Sequence, residues 1–490
     1  MDCTAEPADC RCTRHIGSRF ALRLAGACGA VATILCSPAF ANCDSSAPGS
    51  NTTVTCSPPT ADTTGVTASG GSTNVTVNVQ TGGAINVNNG NSGITIRDQS
   101  TVTNRGTITQ ATAGPDGVVI SGSSNTVTNI GTISTTAFQS DGIFVNGGSN
   151  NTLVNETGAM ITTSGGNADG LYVFNNGTSN TLINRGTIIT GTNSYPMEVV
   201  GNLNVMTNAG TLTTTGTTSV GMSATGNSNR VTNSGTIMTM AGGSHGIQAI
   251  GGDNNTISNS GSVTVNGSNT RAISLVGSNG VVINTGSLTA TGNGGITVVI
   301  QGTNDWLTNS GTIRATGTGG NAVFSNTLLG NTATIQNFAG GQIISTQGDA
   351  LQTLSGSTTI VNAGLIQGGS GVALNGGAAV TGAINFILQT GSQIVGSVNG
   401  GLGANQVRLQ GNGLVANAFT RFQTLTMEGS DWTWNGTGEF TNTSVNSGTL
   451  RLQSAPDRPG HGRRRRHAGG ARPNPECGRD QQWPRALRSS

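Results

Sequence analysis

"NTVTNIGTIS", residues 125–134, is the stretch whose reading decides the fold. Its centre, Asn-x-Gly-Thr-Ile, returns as "NRGTIT" from Asn104, "NRGTII" from Asn184, "NSGTIM" from Asn233 and "NSGTIR" from Asn309. With looser copies included, the anchor Asn falls at Asn104, Asn129, Asn155, Asn184, Asn208, Asn233, Asn259, Asn284, Asn309, Asn337 and Asn362, in steps of 24 to 29 residues. A fixed period of this size marks a repeat architecture, in which each unit buries its apolar face only by stacking on its neighbours.

The better-preserved copies hold three short apolar pieces, for example "GIFV" (142–145), "NTLVN" (151–155) and "GAMITT" (158–163). Leucine-rich repeats share the period but need a Leu frame that is missing here. Three strands per period, separated by Gly and Asn turns with no helix-length segment, predict an all-β chain: a right-handed parallel β-helix with one coil per repeat. Strand alternation points Val127 and Ile133 into the core and Thr126, Thr128 and Thr132 outward. Asn129 is expected at the corner, with a backbone that tolerates the left-handed region and an amide that bonds the same Asn one coil above and below. Gly131 is expected to supply a positive φ.

The composition agrees. Gly reaches 78 of 490 residues, while aromatics are only 3% and charged residues 9%, against about 25% charged in ordinary globular domains. Thr, Asn, Ser and Gly replace the missing bulk, and Val and Ile are the main hydrophobes. The net charge of +2 hides a mildly acidic body, because many of the 22 Arg follow Gln453. Nothing in that body suggests nucleic acid as a partner.

The two ends read differently. Arg11, Arg14, Arg19 and Arg23 precede an apolar run, Leu24 to Cys36, that is too short to span a bilayer as a helix. Ala39-Phe40-Ala41 then has the small-x-small form of a signal-peptidase site, with Asn42 as the new N-terminus. Residues 1–41 are therefore expected to be a signal peptide. Cys43 and Cys56 follow within a segment, 42–60, expected to be an N-terminal cap. In an exported chain this spacing reads most simply as a disulfide loop, with two free thiols as the alternative. The coils are assigned to 61–378 and a C-terminal segment to 379–453. After Gln453 the chain becomes rich in Arg and Pro without a strand pattern. Residues 454–490 are expected to be a disordered basic tail, read as the product of a frameshift; a basic arm for polyanions is the alternative.

Catalysis has few candidates. Carboxylates occur about once per coil. Asp116, Asp141 and Asp169 each precede Gly and could stack as an acidic row, a place for calcium or sugar, although Asp-Gly is also good turn chemistry. His245 is read as a surface turn residue. Outward Thr rows suggest an ice- or polymer-binding solenoid, but the insertions are expected to break their register. No cofactor, metal or catalytic residue is assigned. Phe419, Phe422, Trp432 and Trp434, with Phe440, are expected to close the open end of the core.

Together, the signal-like start, the Cys43–Cys56 loop, the "N-x-G-T-I" coils and the "F-x-x-F…W-x-W…V-x-x-G-T-L" segment over about residues 24–452 resemble the passenger of a bacterial autotransporter (type V secretion). The resemblance implies a non-enzymatic, adhesin-like protein delivered to the outer membrane and cell surface or secreted. Its partners would be host-cell or matrix ligands, or further copies of itself. The family's C-terminal translocator β-barrel has no counterpart in this sequence, which would leave the chain periplasmic. The runner-up is a polysaccharide-active β-helix enzyme, which several carboxylates meeting in one groove would favour.

Overall fold

The computed structural model describes residues 43–327, 332–377, 382–453 and 486–488. Residues 1–41, expected to be a signal peptide, lie outside them with the cleavage-site Ala39, Ala41 and Asn42, as does most of the tail. The described chain is a parallel β-solenoid of about 14 turns with three strands per turn. In one coil these are Thr126–Asn129, Thr132–Thr135 and Ile143–Asn146. Each pairs in parallel with its equivalents in the coils before and after. Stacking at the usual strand spacing of about 4.8 Å gives a length of roughly 65 Å.

Columns of aliphatic side chains from all three strands fill the interior, with Ile143 and Val145 aligned on Leu171 and Val173 in the third. Val102, Val127, Leu153 and Leu182 align in the first sheet, and Ile108, Ile133, Ile161 and Ile188 in the second. All are fully buried. Thr126, Thr128 and Thr132 are partly exposed.

The corner Asn residues form one continuous ladder. The Nδ2 of Asn104 donates to Oδ1 of Asn129 at 2.8 Å, and the pattern repeats through each anchor Asn to Asn337 and Asn362 at 2.8 Å. Each of these side chains is at most 1% exposed. The last amide, Asn362, donates to Ser392 Oγ. Insertions leave this register intact because they are confined to the corners. Asn155 is followed by Glu156–Ala159 before the next strand begins at Met160, where Asn129 needs only Ile130 and Gly131 before Thr132.

Several local expectations need correction. Asn129 and its equivalents are the last residues of strands and keep ordinary strand backbone. The left-handed Asn residues form another set that includes Asn150 (φ 60°), Asn254 (φ 59°) and Asn304 (φ 57°). Gly131 does not take a positive φ either. It is required because a Cβ there would stand 2.1 Å from the carbonyl oxygen of Gly106 in the coil below. The Thr rows keep register across the insertions and are interrupted by residue type instead: Met160 and Ser262 stand where Thr132 and Thr236 stand in neighbouring coils.

Parallel pairing also continues on both sides of 61–378. Thr53–Cys56 already pairs with Thr76–Val79. Ile384–Leu388, Gln406–Leu409, Thr424–Met427 and Asn442–Val445 carry the first sheet onward. These late coils shorten: Phe386 aligns with Val407, Val407 with Leu425 and Leu425 with Thr443. Bulkier side chains fill them. Phe419, Phe422, Trp432, Trp434 and Phe440 are all buried. Ring centroids lie 5.6 Å apart for Phe419–Phe422, 5.0 Å for Phe419–Trp434 and 5.2 Å for Trp434–Phe440. At the other end Cys43 and Cys56 are joined by a disulfide, and Cys56 sits in the core. Within the tail expected to lack regular structure, Ala486–Arg488 run antiparallel to Thr449–Arg451. Without that segment Thr449–Leu452 would end the stack as an open edge, the kind of edge that templates such pairing.

A second Asn column was not anticipated. The Oδ1 atoms of Asn125, Asn151, Asn180, Asn204, Asn229 and Asn255 accept the backbone N–H of the residue one coil earlier, at 2.8 to 2.9 Å. From Asn151 to Asn255, Nδ2 donates to a Gly carbonyl, as Asn255 does to Gly226. Asp305 occupies the same kind of position: its Oδ1 accepts the Gly280 N–H at 2.8 Å, but its buried Oδ2 has no partner. Burial pushes this carboxyl up to about 6.

Two outcomes follow from the columns. Asn208→Ala should cost about 2–4 kcal/mol, because it removes one amide and leaves neighbouring buried donors and acceptors unpaired; thermal melts with hydrogen exchange on the flanking coils measure this. Asp305→Asn should instead raise stability at pH 7 by about 1 kcal/mol, since an amide keeps the Gly280 bond and adds a donor where Oδ2 is orphaned. A lower melting temperature for that variant would contradict this account.

Candidate functional site

The acidic row lies on one face of the coils, where three parallel columns meet. In each coil the chain passes an amide-bearing turn residue, then a carboxylate or phenol, then an outward residue of the third strand. The successive sets are Gln139, Asp141 and Phe144, then Asn167, Asp169 and Tyr172, then Asn193, Tyr195 and Glu198. Strand register aligns Val119, Phe144, Tyr172 and Glu198 directly above one another. Asp116 begins the carboxylate column one coil earlier. The result is a groove of about 390 Å³ along the solenoid axis, with Asp116, Asp141 and Asp169 as its floor. Phe144, Tyr172 and Phe174 form one wall, and Gln139, Asn167 and Asn193 the other.

Local sequence explains each placement. Gln139, Asn167 and Asn193 turn the chain with φ of 55°, 53° and 51°, and Asn193 Nδ2 donates to Asn167 Oδ1. The Gly after each Asp lets the corner close onto the core. A Cβ at Gly142 would meet Ile161 Cγ2 and the Gly170 carbonyl oxygen, both at 2.6 Å. Phe144 and Tyr172 face out because Ile143, Val145, Leu171 and Val173 face in. Their rings lie 5.4 Å apart, and Tyr172 lies 5.7 Å from Phe174.

Each Asp is also a structural cap. Asp116 Oδ1 accepts the Asp141 N–H at 2.7 Å, Asp141 Oδ1 the Asp169 N–H at 2.6 Å and Asp169 Oδ1 the Tyr195 N–H at 2.6 Å. That commits one oxygen per carboxylate. Among the described residues, Oδ2 of Asp116 and of Asp141 has no hydrogen-bond partner. Glu198 lies close enough to Asp169 for each carboxyl to influence the other, and Ser223 aligns with Glu198 on the next strand.

Burial drives the electrostatics. It pushes Asp116 up to about 8, helped by the charge of Asp141, and Asp141 up to about 7. Asp169 is held well above the carboxylate range by burial and by Asp141 and Glu198, and Glu198 is raised to about 7 by burial. Burial and the surrounding carboxylates also raise the Tyr172 and Tyr195 hydroxyls. Near neutral pH the floor is therefore a partly protonated row, able both to donate and to accept hydrogen bonds. Among the described residues no His, Cys, Asp and Glu grouping is placed to hold a metal ion.

Not all of the expected residues gather here. The corner Asn ladder, the Cys43–Cys56 bond and the C-terminal aromatics are elements of the core and its ends, away from the groove. His245 is not a surface turn residue. It opens the strand His245–Ile250, is partly buried, and its Nδ1 accepts the Arg271 backbone N–H at 3.2 Å. Burial and Arg271 hold its pKa below the usual range. Phe144, Tyr172, Tyr195 and Glu198 were not singled out from sequence. The signal for Phe144, Tyr172 and Glu198, an aromatic or Glu three residues after Asp141, Asp169 and Tyr195, gains meaning only when the coils are in register.

Comparison with protein-family models, with curated proteins and with solved structures finds no match to this chain.

The raised carboxyls give a signed pH dependence. Their folded pKa values exceed the unfolded ones, so their stabilising protons are fully present below about pH 4 and are lost as pH rises through about 7 to 8. Melting temperature should fall across that window. Asp116→Asn/Asp141→Asn, which keeps the Oδ1 caps, should flatten the fall by about 3–6 °C. An identical slope for wild type and variant in thermal melts from pH 4 to 9 would contradict the shifts.

Proposed function

We propose that this protein is a non-enzymatic, exported β-solenoid of the autotransporter-passenger kind, an adhesin-like scaffold that holds a ligand-contacting groove on an extended stack of coils. The observation that carries this is the unbroken ladder from Asn104 to Asn362, an architecture whose strength lies in length rather than in an enclosed catalytic cavity. The Cys43–Cys56 bond supports export, since disulfides persist in oxidising compartments. Beads coated with the full chain should be retained on host cells, on matrix, or on each other. Absence of retention on all three surfaces would overturn the proposal.

One observation favours a polysaccharide-active enzyme as a second reading. Asp169 and Glu198 sit close enough for their charges to act on each other, beside two further carboxylates, so a general acid and a base could coexist there. That role predicts release of new reducing ends from polysaccharide, abolished by Glu198→Gln; the display role predicts none.

A further inference from the structure

We infer that the groove binds an uncharged polysaccharide laid along the solenoid axis, with sugar rings on Phe144 and Tyr172 and hydroxyls on Asp116 and Asp141. This rests on the groove being the contact surface of the proposed scaffold, and it names the ligand class.

Four observations carry it. First, the groove is long, open and repetitive: each coil adds one amide, one carboxylate or phenol and one outward side chain in the same order. Successive coils advance by the strand spacing of about 4.8 Å, close to the advance of one pyranose unit in an extended glycan, so a polymer meets equivalent groups residue after residue. Second, the wall is a continuous aromatic surface, with Tyr172 centred 5.4 Å from Phe144 and 5.7 Å from Phe174. Such rings offer flat apolar faces to the C–H side of a sugar while the Tyr hydroxyl remains available for hydrogen bonding. Third, Asp141 is only 8% exposed and lines the groove, and its Oδ2 has no partner among the described residues. A nearly buried acceptor left open toward a groove is suited to a ligand hydroxyl. Fourth, the lining residues include carboxyls and amides but no cation, so a uronate or sulfated chain would give up the hydration of its charge with no ion pair in return, where a neutral one meets hydrogen bonds. The raised carboxyls fit this, because a row that both donates and accepts matches sugar hydroxyls.

The test is calorimetric titration of the full chain at pH 6 with neutral hexasaccharides (gluco-, xylo- and manno-configured), the matching disaccharides and oligogalacturonate. At least one neutral hexasaccharide should bind about tenfold or more tighter than its disaccharide, and oligogalacturonate should not compete. Tyr172→Ala and Asp141→Asn should each weaken binding about tenfold or more, while their melting temperatures confirm folding. Trp306→Ala, which alters an exposed aromatic on another sheet, should leave binding unchanged. No hexasaccharide binding, preference for the uronate, or affinity insensitive to both groove variants would overturn the inference. Bead retention unaffected by Tyr172→Ala would also sink this ligand assignment while leaving the scaffold role standing; loss of retention for every variant and for wild type would sink the scaffold itself.

Discussion

Each corner amide in this protein is buried and must both donate and accept: it bonds the same amide one coil away, and its Nδ2 also reaches nearby backbone carbonyls. That requirement fixes the vertical spacing, and the spacing fixes everything stacked on it. Once Asn104 sits under Asn129, Val102 must sit under Val127 and Ile108 under Ile133. A coil that slipped by one residue would turn its aliphatic row to solvent and orphan two amides at once. Extra residues are therefore expelled to the corners, where Glu156–Ala159 lie. Aliphatic burial supplies most of the stabilisation, but it is nearly indifferent to small shifts. The amides supply the register.

The groove depends on this register. Neither Phe144 nor Tyr172 is close to Asp116 in sequence, yet they face one groove because the third strands align without slip. The carboxylates serve two purposes with two oxygens, one closing the backbone of the next coil and the other facing the groove. A substitution that removes the side chain therefore perturbs fold and site together. Amide replacement, which retains the capping oxygen, separates them.

The period, the corner Asn and the inward Val and Ile were legible in sequence because one motif recurs with the same side-chain alternation. The limits of the stack were less so. Past Leu374 the coils shorten and Phe and Trp replace Ile, so the motif vanishes while the pairing continues. The second amide column was hidden in plain composition: Asn151 follows left-handed Asn150, and an Asn pair in an Asn-rich turn carries no contrast. Gly131 was identified as necessary for the wrong cause, since crowding between coils is a property of the stack and not of a single turn. Likewise Asp-Gly read as turn chemistry, which the Oδ1 caps support, but the open Oδ2 and the aromatic wall depend on neighbours that sequence does not place side by side.

The ladder also has a sense of direction. Every corner amide passes its hydrogen toward the later coil, from Asn104 through Asn337 to Asn362, where the chain of donors ends on Ser392 Oγ. The small dipoles therefore add instead of cancelling, leaving oxygen character at the Asn104 end and hydrogen character at the Asn362 end. The ladder lies inside the stack, with Thr76–Val79 before it and Ile384–Leu388 after it, so the amide that sets the coil spacing gives the interior of the molecule a polarity that its ends do not display.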